Sequence, residues 1–125
     1  MGEITGGPHI VVVDDDRQVV RYLKKILEHG GYTVSGTTSG KQAVALIDRH
    51  KPDLLILDLN MPDPDGFALI KAERAKFPYL RIMVISGYCD GALLDAAAIF
   101  GAIATMAKPV DGDALLQKVR EVLGR

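Results

Sequence analysis

A chain of 125 residues, 48% hydrophobic and 25% charged, is the size of one ordinary domain and carries enough apolar side chain to bury a core. Its 15 basic and 16 acidic residues leave a formal net charge of -1, which argues against a nucleic-acid or anionic-membrane binding module. A lone cysteine, Cys89, permits no internal disulfide, and the longest apolar runs, such as Leu54 to Leu57, fall far short of the roughly 20 residues that cross a bilayer.

The opening stretch MGEITGGP lacks the basic and then apolar pattern of a signal peptide, and Gly6 occupies the place where a myristoylation motif needs Ser or Thr. Residues 1–8 are therefore expected to form a flexible leader and residues 9–125 a single domain, with the cytoplasm as the expected location. From His9 onward, apolar β-branched runs alternate five times with stretches of helical period, which predicts βα units and an α/β fold with a doubly wound parallel sheet. Strands are predicted at 9–13, 32–36, 54–58, 81–86 and 103–107. The first helix carries Val19, Leu23, Ile26 and Leu27 on one side and stops at Gly30 and Gly31. The second starts after Ser39, whose hydroxyl suits a cap, and ends before Pro52. Gly66 and Pro78 bracket the third, an Ala-rich stretch near 91–100 forms the fourth, and Leu115, Leu116, Val119, Val122 and Leu123 share one face of the fifth.

In an open α/β sheet, ligands bind outside the carboxyl ends of the strands. Those ends carry Asp14, Asp15 and Asp16 after strand one, Asp58 on strand three, Ser86 on strand four, and Lys108 with Pro109 after strand five. Carboxylates brought this close resist joint ionisation unless a cation neutralises them, and a hard divalent ion with oxygen ligands, Mg²⁺, meets that need. A lysine and a hydroxyl facing the same point suit a phosphoryl group, whose oxygens want a point charge and a donor. Taken singly, Asp14 or Asp16 reads most simply as a turn or cap residue. Asp58 does not, because it closes the run Leu54 to Leu57 and is followed by Asn60, Met61 and Pro62 rather than by a helix.

The motifs VVVDDD at 11–16, DLNMPDPDG at 58–66, VISGY at 84–88 and AKP at 107–109 resemble the response-regulator receiver domains of two-component signalling, of the chemotaxis-regulator kind, over 9–123. That resemblance implies a flavodoxin-like (βα)5 fold with strand order 2-1-3-4-5. It implies a phosphorylation-dependent switch rather than an enzyme with a separate substrate. Asp58 would be the phosphoacceptor, and Asp15, Asp58 and the backbone carbonyl of Asn60 would be direct Mg²⁺ ligands, with Asp14 acting through water. Ser86 and Lys108 would hold phosphoryl oxygens and report phosphorylation to the face of helix four and strand five. The implied partners are a sensor histidine kinase or phosphotransfer protein and a downstream protein target, with no direct contact to nucleic acid or membrane, in a monomer or weak dimer.

Three departures stand out, of which the simplest is that Asp63 and Pro64 replace the more usual residues after Pro62. Thr105 occupies the place, three residues before the lysine, where the family usually has an aromatic switch residue, so switching is expected to rely on Ser86 and on Tyr88 in the following loop. Tyr88 is also expected to shield the phosphate and slow its loss. Ile103 replaces a commonly acidic residue and is expected to begin a buried strand, with a partner surface as the other reading.

Two other function classes account for parts of the pattern. A haloacid-dehalogenase-type phosphatase would use Asp14 and Asp16 as a D-x-D pair, but Arg17 and Gln18 replace the Gly-Thr expected next and Asp58 would go unexplained. An inactive, receiver-like interaction module would have no need of the full set of phosphorylation residues. An EF-hand reading of the 58–66 loop fails because Pro64 interrupts it and Ala72 supplies no carboxylate. His9, His29 and His50 show no metal-ligand spacing, and Cys89 is expected to be an exposed loop thiol.

Overall fold

The computed structural model describes residues 8–60, 66–87 and 91–124. Strands β1 (His9–Val13), β2 (Thr33–Thr37), β3 (Leu54–Asp58), β4 (Arg81–Ser86) and β5 (Ala104–Ala107) alternate with helices α1 (Arg17–His29), α2 (Gly40–His50), α3 (Gly66–Lys76), α4 (Gly91–Ile99) and α5 (Gly112–Leu123). All pairings are parallel and the order is β2-β1-β3-β4-β5, as the resemblance implied. Helices α1 and α5 pack on one face of the sheet and α2, α3 and α4 on the other.

The three inner strands β1, β3 and β4 are buried on both sides, which is why they read as continuous apolar runs rather than alternating ones. Ile10, Val12, Leu54, Ile56, Met83 and Ile85 pack with Leu23, Leu27, Leu115 and Val119 of α1 and α5. Val11, Val13, Leu55, Leu57, Ile82 and Val84 face Ala43, Ile47, Leu69, Ile70 and Ala97 on the opposite side. The period of 2 along each strand thus divides one apolar run between two cores.

Element boundaries differ from the sequence reading by one residue at both ends of β2, at the start of β5 and at the end of α4. β2 begins at Thr33 because the Tyr32 amide turns back to the Leu27 carbonyl at the end of α1 (3.2 Å). β5 begins at Ala104, and Ile103, although its amide donates to the Ile82 carbonyl at 2.8 Å, keeps a side chain that is 50% exposed. Ile103 is therefore not the start of a buried strand, because β5 is an edge strand with one flank open. In α1 the fully buried positions are Val20, Leu23 and Leu27, while Val19 and Ile26 are only partly buried. Gly36 allows this arrangement, since a Cβ there would lie 2.5 Å from Val20 Cγ1. Ser39 does cap α2, accepting from the Gln42 amide at 3.2 Å.

One contact was not legible in the sequence. The rings of His9, at the start of β1, and His50, at the end of α2, stack with centroids 4.3 Å apart, and His9 Nε2 lies 2.9 Å from Ser35 Oγ. Burial, and then the neighbouring His50, lower the pKa of His9 below its ordinary 6.5, with Asp53 opposing. The unfolded chain then takes up the proton first as the pH falls, so this group's contribution to stability is full above about pH 6.5 and is lost below it. Urea unfolding at about pH 7.5 and about pH 5.5 should show a smaller acid loss for His9→Gln than for the unmodified chain. An unchanged loss would show that His9 is not the group responsible.

Candidate functional site

Four strand ends converge at the carboxyl edge of the sheet. Asp14 follows β1, is 0% exposed, and donates its amide to the Thr37 carbonyl at 3.3 Å. Its Oδ1 accepts from the Asp16 amide at 2.9 Å. Asp16 points elsewhere, since its own Oδ1 accepts from the Gln18 amide at 2.9 Å and caps α1. The chain after β1 thus directs three successive acids three ways, with Asp14 inward, Asp15 exposed at the mouth and Asp16 onto the helix. Carboxylate oxygens of Asp14, Asp15 and Asp58 all lie within 4.8 Å of one another, a cluster that excludes Asp16. The D-x-D pair that a phosphatase reading needs therefore does not converge.

Asp58 ends β3, the central strand, and is only 2% exposed. Its Oδ1 accepts from the Asn60 amide at 3.0 Å. The Leu59 amide reaches the Ile85 carbonyl at 3.1 Å, so the chain stays tied to β4 for one residue past the carboxylate. Ser86, fully buried at the end of β4, receives the Asn60 side-chain amide at 3.3 Å. Lys108 leaves β5 with its amide bonded to the Ser86 carbonyl at 2.8 Å. Its Nζ lies 2.7 Å from Asp14 Oδ2 and 3.4 Å from Asp58 Oδ2.

The electrostatics follow from this geometry. Burial raises the Asp14 pKa above the ordinary carboxylate value, and the charge of Asp58 adds to it, while Lys108 and the Asp16 amide act in the other direction. Burial works against the charge on Lys108, but its bonds to Asp14 and the charges of Asp14 and Asp58 outweigh that, and its pKa is raised. Lys108 is therefore an ammonium shared between two buried carboxylates. Three carboxylates sharing one ammonium leave negative charge uncompensated, and oxygen donors this close suit a hard divalent cation.

The site residues read from the sequence are brought together: Asp14, Asp15, Asp58, Ser86 and Lys108 meet at the carboxyl edge of the sheet, and Asn60 bridges Asp58 to Ser86. Thr105 lies half-buried in β5, in register with Val84, away from this cluster. Tyr88, Cys89 and the 61–65 stretch with Pro62, Asp63 and Pro64 lie outside the described residues. Two contributors escaped the sequence reading. The Asn60 side-chain contact to Ser86 depends on a separation of 26 residues that only the β3–β4 pairing closes. Gly66 is the other, because a Cβ there would meet Leu59 Cα at 2.7 Å and the Asp58 carbonyl at 3.0 Å. Since the obstacle is backbone, Gly66→Ala should destabilise the fold by about 1–3 kcal/mol and displace the Asp58 amide resonance, both measurable by urea unfolding and NMR. An unshifted Asp58 resonance would contradict this close approach.

Comparison with known proteins agrees with the geometry. The model of the response regulator receiver domain family matches residues 10–120. The transcriptional regulatory protein CitT of Bacillus subtilis is 35% identical over 117 residues, which are 92% of this chain and 50% of CitT. Sporulation initiation phosphotransferase F of the same organism is 26% identical over 114 residues, 91% of this chain and 92% of that protein. A solved response regulator from Thermotoga maritima superposes with a TM-score of 0.86 at 29% identity, covering 94% of this chain and 98% of that one. The chain spans half the length of CitT and 25% of the C4-dicarboxylate transport regulator DctD of Rhizobium meliloti. With the fold, the strand-end acids and the match over 10–120 in agreement, the chain belongs to the response regulator receiver domain family of two-component signalling.

Proposed function

We propose that Asp58 is the phosphoacceptor of this receiver and takes a phosphoryl group from the phosphohistidine of a sensor histidine kinase or phosphotransfer protein. The observation that carries this reading is the placement of Asp58 at the end of the central strand, 3.4 Å from the Lys108 ammonium and within 4.8 Å of two further carboxylates. An Asp58 oxygen attacks phosphorus in line, the phosphorus–nitrogen bond breaks, imidazole leaves and an acyl phosphate forms. Asp15, Asp58 and the Asn60 backbone carbonyl would hold Mg²⁺ directly and Asp14 through water, and the ion would supply neutralisation of the charge on the transferring group. Lys108 moves from its carboxylate partners to a phosphoryl oxygen. Ser86 donates its hydroxyl to another, and its contact with Asn60 readjusts.

That exchange of partners supports a switch that starts at Ser86 and passes to the α4 and β5 face, where a downstream protein binds. With Thr105 in place of an aromatic ring, the switch relies on Ser86 and on Tyr88, which lies outside the described residues. A groove of about 630 Å³ bordered by Val19, Tyr22, Lys108 and Val110 leaves room beside the site for the phosphodonor to approach. Among the described residues, no helix is long and apolar enough to cross a membrane.

The test is intact-protein mass after incubation with Mg²⁺ and acetyl phosphate. One phosphate adduct that needs both Mg²⁺ and Asp58 is the expected result. Absence of an adduct would leave an inactive receiver-shaped module, and steady turnover dependent on Asp14 without Asp58 would indicate a phosphatase.

A further inference from the structure

A second concave site lies at the other end of the sheet, where the chain enters β3 and β4, and is separate from the phosphorylation chemistry. It is a groove of about 430 Å³ between the turn after α2 and the loop joining α3 to β4. Ile47 and Leu80, 1% and 5% exposed, form its apolar floor together with Phe77 and Pro52. Its walls are held in place. Lys51 is in the left-handed conformation with φ 46°, and its amide closes α2 on the Ile47 carbonyl at 2.9 Å. Opposite, the guanidinium of Arg74 donates to the carbonyls of Pro78 at 3.1 Å and Leu80 at 2.7 Å, and also to Gly101. The Leu80 amide bonds to the Phe77 carbonyl at 3.0 Å, so the loop is pinned at both ends.

On this pinned loop Tyr79 is 93% exposed. An aromatic ring that buries almost nothing in its own chain, on a backbone that is already ordered, loses little entropy when a partner covers it. The rim carries Lys51, Lys76 and Arg81 against one carboxylate, Asp53. Asp53 Oδ2 is engaged by the His9 amide at 2.9 Å. Lys76 is neutralised by Glu73 and Asp48 at 3.1 and 3.3 Å. The Lys51 ammonium, by contrast, bonds a carbonyl, that of Asp48 at 2.9 Å, and Arg81 has no side-chain partner among the described residues. In a chain of net charge -1, two cations without carboxylate partners flank an apolar trough and an outstanding tyrosine.

We propose that this groove docks a short acidic protein segment carrying one aliphatic or aromatic anchor. The anchor enters between Phe77 and Pro52 against Tyr79, and the flanking carboxylates meet Lys51 and Arg81. The volume suits one or two side chains and not a broad folded face, and the charge pattern selects sign and orientation. A nucleic acid fits less well, because Asp53 lies on the rim and no basic stripe continues from it among the described residues.

The test is a titration of the ¹⁵N-labelled full chain with the capped hexapeptide DELFED at low salt, and with KRLFKR and a single-stranded oligonucleotide as comparisons. Saturable shifts confined to 47–53 and 76–81 with the acidic peptide are expected. Tyr79→Ala should weaken binding about tenfold, and Lys51→Glu with Arg81→Glu should weaken it by at least about as much. These side chains are exposed, so the variants keep the spectrum of the folded chain away from the groove. The proposal is overturned if no saturable shift appears, if the basic peptide or the oligonucleotide binds equally well, or if Tyr79→Ala binds as tightly as the unmodified chain.

Discussion

Asp58→Asn is expected to give a chain that is more stable than the unmodified one and accepts no phosphate. The loss of function follows directly if the Asp58 oxygen is the nucleophile, because the amide cannot form an acyl phosphate at this position. The gain in stability has a separate origin. Asp58 and Asp14 are both buried, their oxygens lie within 4.8 Å, and the charge of Asp58 helps to raise the Asp14 pKa. Replacing one carboxylate by a neutral amide of the same shape removes that repulsion and the desolvation of one charge. The amide oxygen still accepts from the Asn60 amide, and Lys108 keeps its shorter contact, 2.7 Å to Asp14. Without divalent cation the gain should be about 1 kcal/mol or more, read from urea midpoints. Added Mg²⁺ should then stabilise the unmodified chain and have a smaller effect on the variant. A variant that still gains one phosphate under acetyl phosphate would move the acceptor to another residue and sink the proposed function.

Lys108→Ala is expected to have the opposite effect on stability. The lysine is the cation shared by Asp14 and Asp58, at 2.7 and 3.4 Å, and its side chain is 21% exposed against 0% and 2% for the two acids. Removing it leaves two buried carboxylates facing one another, and breaking a buried pair from one side costs about 3 kcal/mol; partial exposure of the ammonium brings the expected loss nearer about 2 kcal/mol. Because the ammonium also competes for the same oxygens, the variant should bind Mg²⁺ several-fold more tightly, roughly as expected when one positive charge leaves a shared site. Calorimetric titration with Mg²⁺ and urea unfolding with and without the ion measure the two effects together. Equal Mg²⁺ affinity in variant and unmodified chain would show that the lysine does not shield the carboxylates.

Much of the fold was readable because local periodicity dictates it. The runs at 10–13, 54–57 and 82–85 are apolar at every position, and only a strand covered on both faces tolerates that. Helix caps were equally local: Ser39 and the glycines after α1 act within a turn or two of chain. The candidate site was readable for a topological reason. Once the pattern demands parallel strands, every strand's last residue reaches the same edge, so Asp14, Asp58, Ser86 and Lys108 had to meet although 94 residues separate the first from the last.

What periodicity cannot supply is which neighbours a side chain finds when two elements distant in sequence come together. Asp14, Asp15 and Asp16 are chemically alike in the sequence, and only the turn after β1 sends one inward, one to the mouth and one to the helix cap. Ile103 looked like a core residue by hydrophobicity, and its exposure is decided by β5 lying at the sheet's edge. The His9–His50 stack, the Asn60–Ser86 contact and the reach of Arg74 to Gly101 each join segments at least 26 residues apart. The sequence by itself therefore determined the class of fold, the family resemblance and the edge at which chemistry would gather, because hydrophobic period and strand direction are local properties. The tertiary structure alone decided which acid faces the lysine, which apolar side chain is left in water and where a second groove opens, because distances between non-local side chains are set by packing.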